Sequence, residues 1–226
     1  MKIILLGYGK MGRIIEQLAG EDGHEIVLRV DEHNRSSIGP DELKASDVAI
    51  DFSRPDAAIP NIELCLQAGV PVVVGTTGWL DRLPEVTEKV KQAGGALFYA
   101  SNFSIGVNLF FATANYLAAR MRGENYTPRI EETHHTEKLD APSGTALTLE
   151  SGVRQALGGE QVPIESFRED NVPGTHVLRF QSPIDTLELT HTAHSREGFA
   201  RGALTAAGWI RGRSGVFSMA DMLTEK

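Results

Sequence analysis

A single cysteine, Cys65, occurs in 226 residues, so no intrachain disulfide and no cysteine-built zinc cluster can form. It lies in an amphipathic stretch, where a small buried hydrophobe is its expected role. Long apolar runs are missing too: Gly, Asn or charge breaks them well before the ~20 residues a bilayer span needs. The opening, MKIILLGYG, lacks the cleavage region of a secretory signal, which points to a soluble, cytoplasmic protein. Positive charge is short, with 22 Lys+Arg against 30 Asp+Glu, a net charge of -8 and a pI near 5.4. That is the wrong sign for a general nucleic-acid binder, so an anionic ligand must be held by a local positive pocket. There is no internal repeat, low-complexity tract or long run of one charge. With 41% hydrophobic residues, the chain has material for one large domain or two modest ones.

What is present alternates. Residues 2–6, Lys-Ile-Ile-Leu-Leu, read as a strand buried on both faces that runs into Gly7. From Lys10 the period changes, because Met11, Ile14, Ile15 and Leu18 recur at helical spacing up to Gly20. Strands follow at 26–30, 47–52, 71–74 and 96–100, with helices predicted over 55–67 and 79–92. Five strands interleaved with helices in about a hundred residues argue for a parallel sheet covered on both faces. After Asn102 the character shifts to one long apolar helix over 105–121, so a domain junction is placed near Ser104. Beyond it a strand over 128–135 precedes a helix from Ser143 to the Gly158-Gly159 pair. Strands at 164–168, 176–180 and 186–191 then come in succession, which suggests a mixed or antiparallel sheet. A helix over 198–211 is followed by apolar residues 216–219, expected to pack back on the first domain.

Two motifs carry chemistry. Gly7-Tyr8-Gly9-Lys10-Met11-Gly12 is a GxGxxG segment lying directly after a strand and opening a helix, where a dinucleotide pyrophosphate meets a helix N-terminus. Asp31, at the end of the second strand, stands close to the ~20-residue spacing at which an acid meets the adenosine ribose. Such an acid favours NADH, whereas the nearby His33 and Arg35 could offer charge to the 2′-phosphate of NADPH. Gly75-Thr76-Thr77-Gly78 and Ala100-Ser101-Asn102-Phe103 follow strands at their carboxyl ends, where open α/β sheets bind ligands.

The second motif spans Glu131 to Thr145. Adjacent His134 and His135 at a strand end point in different directions, and Lys138 can join one of them. Hydride addition to an unsaturated ring builds negative charge that needs stabilisation and a proton, and His and Lys supply both. Ser143-Gly144-Thr145 opens a helix whose free N–H groups, with the Thr145 hydroxyl, suit a carboxylate. A metal site from His134, His135 and Glu131 or Glu132 is the rival reading; neighbouring histidines on an extended strand seldom converge on one ion, so no metal is expected. His176, His191 and His194 are expected at the surface or facing the sheet. A dehydrogenase acting on an amino or imino acid and a nucleotide-sensing regulator share the glycine loop, but neither explains the second motif.

Taken together, Gly7 to Gly12, Gly75 to Gly78, Ala100 to Asn108, His134-His135-x-x-Lys138-x-Asp140-Ala141-Pro142-Ser143-Gly144-Thr145-Ala146 and Phe199 to Ala203 closely resemble the 4-hydroxy-tetrahydrodipicolinate (dihydrodipicolinate) reductase family of lysine and diaminopimelate biosynthesis. The resemblance implies an α/β fold with a Rossmann-type doubly wound parallel-sheet domain, 1–104 completed by 205–226. It implies a smaller α+β substrate-binding and oligomerisation domain, 105–204, with a mixed sheet, and a homotetramer. It makes His134 the proton donor and acceptor and Lys138 a proton donor, and it makes His135, Gly144 and Thr145 substrate contacts. Gly7, Tyr8, Gly9, Lys10, Met11, Gly12, Asp31, Gly75, Thr76, Thr77, Ala100, Ser101, Asn102 and Phe103 would contact NADH and/or NADPH. The substrate would be a small dicarboxylate, with no nucleic-acid or membrane partner. The chain is shorter than many members between Asp31 and Asp47, and Glu32 stands directly after Asp31 where no basic residue is found, so the choice between the two cofactors stays open.

Overall fold

The computed structural model describes residues 1–225, which group into two units, 1–104 with 199–225 and 105–198. In the first unit the strands are β1 (Lys2–Leu6), β2 (Glu25–Val30), β3 (Val48–Asp51), β4 (Val72–Val74), β5 (Ala96–Tyr99) and β10 (Gly215–Phe217). They form one parallel sheet in the order β10-β5-β4-β3-β1-β2. Its helices are α1 (Lys10–Glu21), α2 (Pro40–Leu43), α3 (Pro55–Ala68), α4 (Leu83–Ala93), the later part of α7 (Glu197–Ile210), and α8 (Met219–Thr224). This is the doubly wound α/β arrangement, and its apolar strands are buried because helices cover both faces. Ile4, Leu6, Ala49, Val72 and Val74 pack with Ile59, Ile62, Val86 and Val90 of α3 and α4. On the strands' other face Phe98 meets the Trp209 ring of α7 at 5.9 Å between centroids.

Three details depart from the sequence expectation. The stretch 79–92 is not one helix: Trp79 is buried with its indole N–H on the Thr76 carbonyl at 2.8 Å, a 3-10 turn covers Leu80–Arg82, and α4 starts at Leu83. Pro84 in the first turn of α4 fits that start, since its missing N–H has no helical partner there anyway. The C-terminal apolar residues, expected only to pack back, add β10 as a sixth strand beside β5. From Phe199 onward, rather than 205, the chain belongs with the first unit, and Gly202 explains the closeness: a Cβ there would lie 1.7 Å from the Phe103 carbonyl oxygen.

The second unit holds α5 (Ile105–Met121), β6 (Thr127–His134), α6 (Gly144–Ala156), β7 (Ile164–Arg168), β8 (Gly174–Gln181) and β9 (Thr186–Ala193). The sheet order is β7-β6-β8-β9, with β6 and β7 parallel and the other pairs antiparallel, so the sheet is mixed. Phe110, Ala114 and Ala118 of α5 and Leu149 and Val153 of α6 bury Ile130, Leu178 and Phe180 on one sheet face. Strand alternation therefore sends Pro128, Ile130, Glu132 and His134 inward together, and likewise Gly174, His176, Leu178 and Phe180. No helix among the described residues is long and apolar enough to cross a membrane.

Candidate active site

Buried polar side chains are costly unless partnered, and the seven among the described residues fall into two clusters. Asp51, Asn61 and Thr76 lie in the first unit; Glu132, His134, Ser143 and His176 lie in the second.

The first cluster builds the glycine-loop end of the sheet. Asp51, ending β3, accepts from Ser53 N–H at 2.9 Å, Ser53 Oγ at 2.7 Å and Thr76 Oγ at 2.6 Å on one oxygen, and from Asn61 Nδ2 at 2.8 Å on the other. These bonds tie the turn after β3 to the turn after β4. Burial raises the Asp51 pKa, against the pull of its hydrogen bonds from Thr76, Asn61 and Ser53. Each glycine of the Gly7–Gly12 loop has a distinct physical reason. Gly7 has φ +94, and a Cβ there would lie 2.3 Å from the Phe52 carbonyl oxygen, while a Cβ on Gly12 would lie 2.6 Å from the Gly7 oxygen. At Gly9 nothing lies within 4 Å of the Cβ position, so a pyrophosphate can come up to the backbone. Gly9 caps α1 without a side-chain partner and no acid occupies the first turn, leaving N–H groups and the helix dipole for an anion. The cradle fits a dinucleotide.

The other expected cofactor residues divide. Tyr8 is half-buried, its hydroxyl on Glu16 and its ring under the Arg13 guanidinium at 5.1 Å. Lys10, Thr77 and Ser101 are exposed, and Met11, Gly75, Ala100 and Asn102 partly so. Asp31 accepts the N–H groups of His33 at 2.9 Å and Asn34 at 3.2 Å on one oxygen, which shapes the turn after β2. The Thr76 hydroxyl is committed to Asp51, and Phe103 is 2% exposed between the Phe52 and Phe98 rings, so both act as scaffold. Arg35 does not serve as a free phosphate ligand: its Nε binds Asn61 Oδ1 at 2.6 Å and its Nη atoms reach the Ile38 and Pro60 carbonyls. The exposed Arg54, paired with Asp56 at 2.6 Å, also comes within 4.0 Å of Glu32.

In the second unit, the ends of β6, β7 and β8 and the start of α6 converge. Strand pairing sets Glu132 opposite His176 and His134 beside Arg168. The Glu132 carboxylate is fully buried, accepts Ser143 N–H at 3.2 Å and Arg168 Nη1 at 3.3 Å, and lies 2.8 Å from His134 Nδ1. Burial works against its charge, but the Ser143 and Ser166 hydrogen bonds and His134 together hold its pKa below the usual value. His134 and His176 meet edge to face at 5.1 Å. Burial, with help from His134, pushes His176 down to about 4, so it is neutral at pH 7. Burial also lowers the His134 pKa, with Lys138 and Arg168 acting in the same direction and Glu132 and Asp140 opposing.

Arg168 also holds the loop that carries Lys138, through the Lys138 carbonyl at 3.3 Å and the Asp140 carbonyl at 2.7 Å. Lys138 Nζ sits between both Asp140 oxygens at 2.7 and 2.9 Å. The Asp140 carboxylate also takes charge-stabilising contact from the Gly144 N–H, so an internal carboxylate holds two donors suited to a substrate carboxylate. Ser143 caps α6 by accepting Ala146 N–H at 3.2 Å, no acid lies in the first turn, and Thr145 is partly exposed beside it. His135, just past the end of β6, lines an open cleft of about 530 Å³ with Thr136, Asp170, Asn171 and Arg196.

From the sequence, Glu132 was weighed only as an alternative metal ligand, His176 was expected at the surface or facing the sheet, and Arg168 was not singled out. For His176 a signal existed: it alternates with Leu178 and Phe180, so a strand there puts all three on the core face, rather than at the surface. Arg168 had no local signal. His191 lies against Phe110 at 6.0 Å and His194 is exposed. One group among the described residues could share a metal ion, Glu132, His134 and His176, with ligand atoms within 4.8 Å; it differs from the His134, His135 and Glu131 or Glu132 set weighed from the sequence.

Two family models match this chain, dihydrodipicolinate reductase N-terminus over residues 1–103 and C-terminus over 106–223. The 4-hydroxy-tetrahydrodipicolinate reductase of Christiangramia forsetii is 45% identical, covering 100% of this chain and 98% of that protein. The reductase of the same name from Thiobacillus denitrificans is 35% identical, covering 95% of each. A dipicolinate-bound dihydrodipicolinate reductase from Paenisporosarcina sp. TG-14 shares the fold at TM-score 0.84 and 22% identity, over 96% of this chain and 97% of that one. An aspartate dehydrogenase from Thermotoga maritima is a more distant fold neighbour, at TM-score 0.52 and 14% identity over 94% and 98%. With both halves matched in order and a relative this similar from end to end, the chain belongs to the dihydrodipicolinate reductase family.

Proposed function

We propose that this chain reduces 4-hydroxy-tetrahydrodipicolinate to tetrahydrodipicolinate with NADH or NADPH, as a cytoplasmic homotetramer of the lysine and diaminopimelate route. The observation that carries the reading is the cluster at the end of β6: a buried imidazole on a carboxylate, next to an ammonium and a helix start without acids. The Gly7–Gly12 loop and the α1 N-terminus hold the cofactor pyrophosphate, and Asp31 takes the adenosine ribose. Asp31 and Glu32 together disfavour a 2′-phosphate, which makes NADH the favoured donor.

When bound, a reduced nicotinamide would supply the hydride for C4 of the ring, from which water has left. Lys138 and the Gly144 and Thr145 N–H groups take a substrate carboxylate in place of Asp140, with His135 as a further contact. His134 and Lys138 deliver the proton that the resulting enamine-like anion requires. A local positive pocket of this kind lets an acidic protein bind a dianion.

The test is a coupled assay that follows absorbance of each reduced cofactor with enzymatically made 4-hydroxy-tetrahydrodipicolinate. Oxidation that needs both protein and cyclic substrate is expected; none with either cofactor overturns the reading. Lys138→Ala should lower kcat about 100-fold while NADH binding is unchanged, because the cofactor residues lie in the other unit.

A further inference from the structure

The two oxygens of Glu132 keep different company. Oε1 accepts two donors, Ser143 N–H at 3.2 Å and Arg168 Nη1 at 3.3 Å. Oε2 lies 2.8 Å from His134 Nδ1 and 4.0 Å from His176 Nε2. Neither Oε2 nor His134 Nδ1 has a hydrogen-bond partner, so their 2.8 Å approach is a charge contact rather than an aligned hydrogen bond. Two lone pairs 2.8 Å apart in a site shielded from water repel each other, so this approach requires a proton on one of the two atoms. Arg168, Ser143 and Ser166 favour the ionised carboxylate, which assigns that proton to Nδ1. At the opposite edge of the ring, Nε2 lies beside Gly174, where a Cβ would come within 3.0 Å.

We infer that Glu132 is the positioning residue of the proposed reduction: it fixes His134 as the Nδ1–H tautomer and leaves Nε2, in the space Gly174 keeps clear, as the nitrogen that takes up and gives the proton. This deepens the reading of His134 as proton donor and rests on it. Glu132, Arg168, His176, Lys138 and Asp140 are the charged or titratable groups facing the ring from β6, β7, β8 and the loop after β6. A metal ion shared by Glu132, His134 and His176 is the competing use of the same atoms, and the fixed positive charge of Arg168 on the carboxylate works against it.

Glu132→Gln separates these ideas. Both Oε1 donors still point at the same place, so the amide oxygen must occupy it and the NH2 group must face Nδ1. His134 is then forced into the opposite, Nε2–H tautomer. Histidine-labelled 15N NMR of the cofactor-free protein, with the His134 signal assigned by its loss in His134→Gln, is expected to show Nδ1–H in wild type and Nε2–H in Glu132→Gln. An inverted tautomer removes most general-acid chemistry, so kcat should fall about 100-fold or more with substrate KM little changed. Loss of the negative charge should also move the alkaline limb of the kcat profile to lower pH, since Glu132 raises the His134 pKa. Glu132→Asp, which keeps the charge, should recover part of the rate.

Wild type carrying the Nε2–H tautomer overturns the inference even if Glu132→Gln does not fold. So does unchanged kcat in folded Glu132→Gln, or activity lost to chelator and restored by Zn²⁺ alone. The Nδ1–H tautomer in a protein that oxidises neither cofactor with the cyclic substrate would leave the tautomer standing and overturn the proposed activity.

Discussion

Acid should weaken the second unit through its buried and partly buried histidines, and most of all through His176. The side chain is 4% exposed, and its pKa is pushed from 6.5 to about 4 by burial and by His134. Once unfolded, it takes up a proton near 6.5. A base whose folded pKa is depressed costs nothing above the unfolded pKa. As pH falls from 6.5 toward 4, only the unfolded state gains the proton, and stability is lost over that window. The full shift corresponds to about 3 kcal/mol, with about 1 kcal/mol already lost near pH 5.5. Burial leaves little solvent screening to discount. Glu132 adds to the loss lower down: its pKa is depressed, so its contribution is complete above about 4.5 and disappears as pH falls through its folded value. The assay is amide hydrogen exchange of β6 and β8, in wild type and His176→Gln, across pH 7.5 to 4. The Gln side chain can still meet Ser143 and has no proton to gain. The difference in opening free energy should move by about 3 kcal/mol in favour of the variant over that range. A constant difference would refute the depressed pKa, and a change of the opposite sign would mean that His176 is charged beside Glu132.

Three further outcomes follow from the geometry. Gly9→Ala meets no atom within 4 Å, so stability should stay within about 0.5 kcal/mol while NADH binding, read by calorimetry, weakens about 10-fold or more. Asp51→Asn sets an amide NH2 against the Asn61 NH2 or against the Ser53 and Thr76 donors, which should cost about 1–3 kcal/mol in chemical denaturation and raise KM for the cofactor but not the substrate. Burial pushes the Cys65 thiol up, so it should resist iodoacetamide in the folded protein and react once urea unfolds it.

Where local periodicity and turn chemistry were strong, the elements were legible. The glycine loop declared itself because the first strand, the turn and the helix are contiguous, and the 105–121 helix because its apolar positions recur throughout. The 79–92 segment misled because Trp79 looks like a helical apolar residue while its indole N–H is claimed by the Thr76 carbonyl, a partner supplied by the preceding turn. The sixth strand was missed because three residues, Gly215–Phe217, become a strand only when β5 is there to pair with them. Arg35 read as a candidate phosphate ligand because nothing near it in sequence shows that Asn61, 26 residues on, will take its Nε.

By itself the sequence determined the alternation of elements, the loop that suits a pyrophosphate, and the His134-His135-x-x-Lys138 segment ahead of a capped helix. Each is a property of neighbouring residues, set by spacing and backbone preference. Only the tertiary structure decided that Glu132 meets His134, His176, Ser143 and Arg168. Those five side chains come from β6, β8, the α6 cap and β7, and they meet because Glu132 pairs across from His176 and His134 beside Arg168. That register is selected by the burial of Ile130, Leu178 and Phe180 under α5 and α6, an interaction between distant segments that no local pattern encodes.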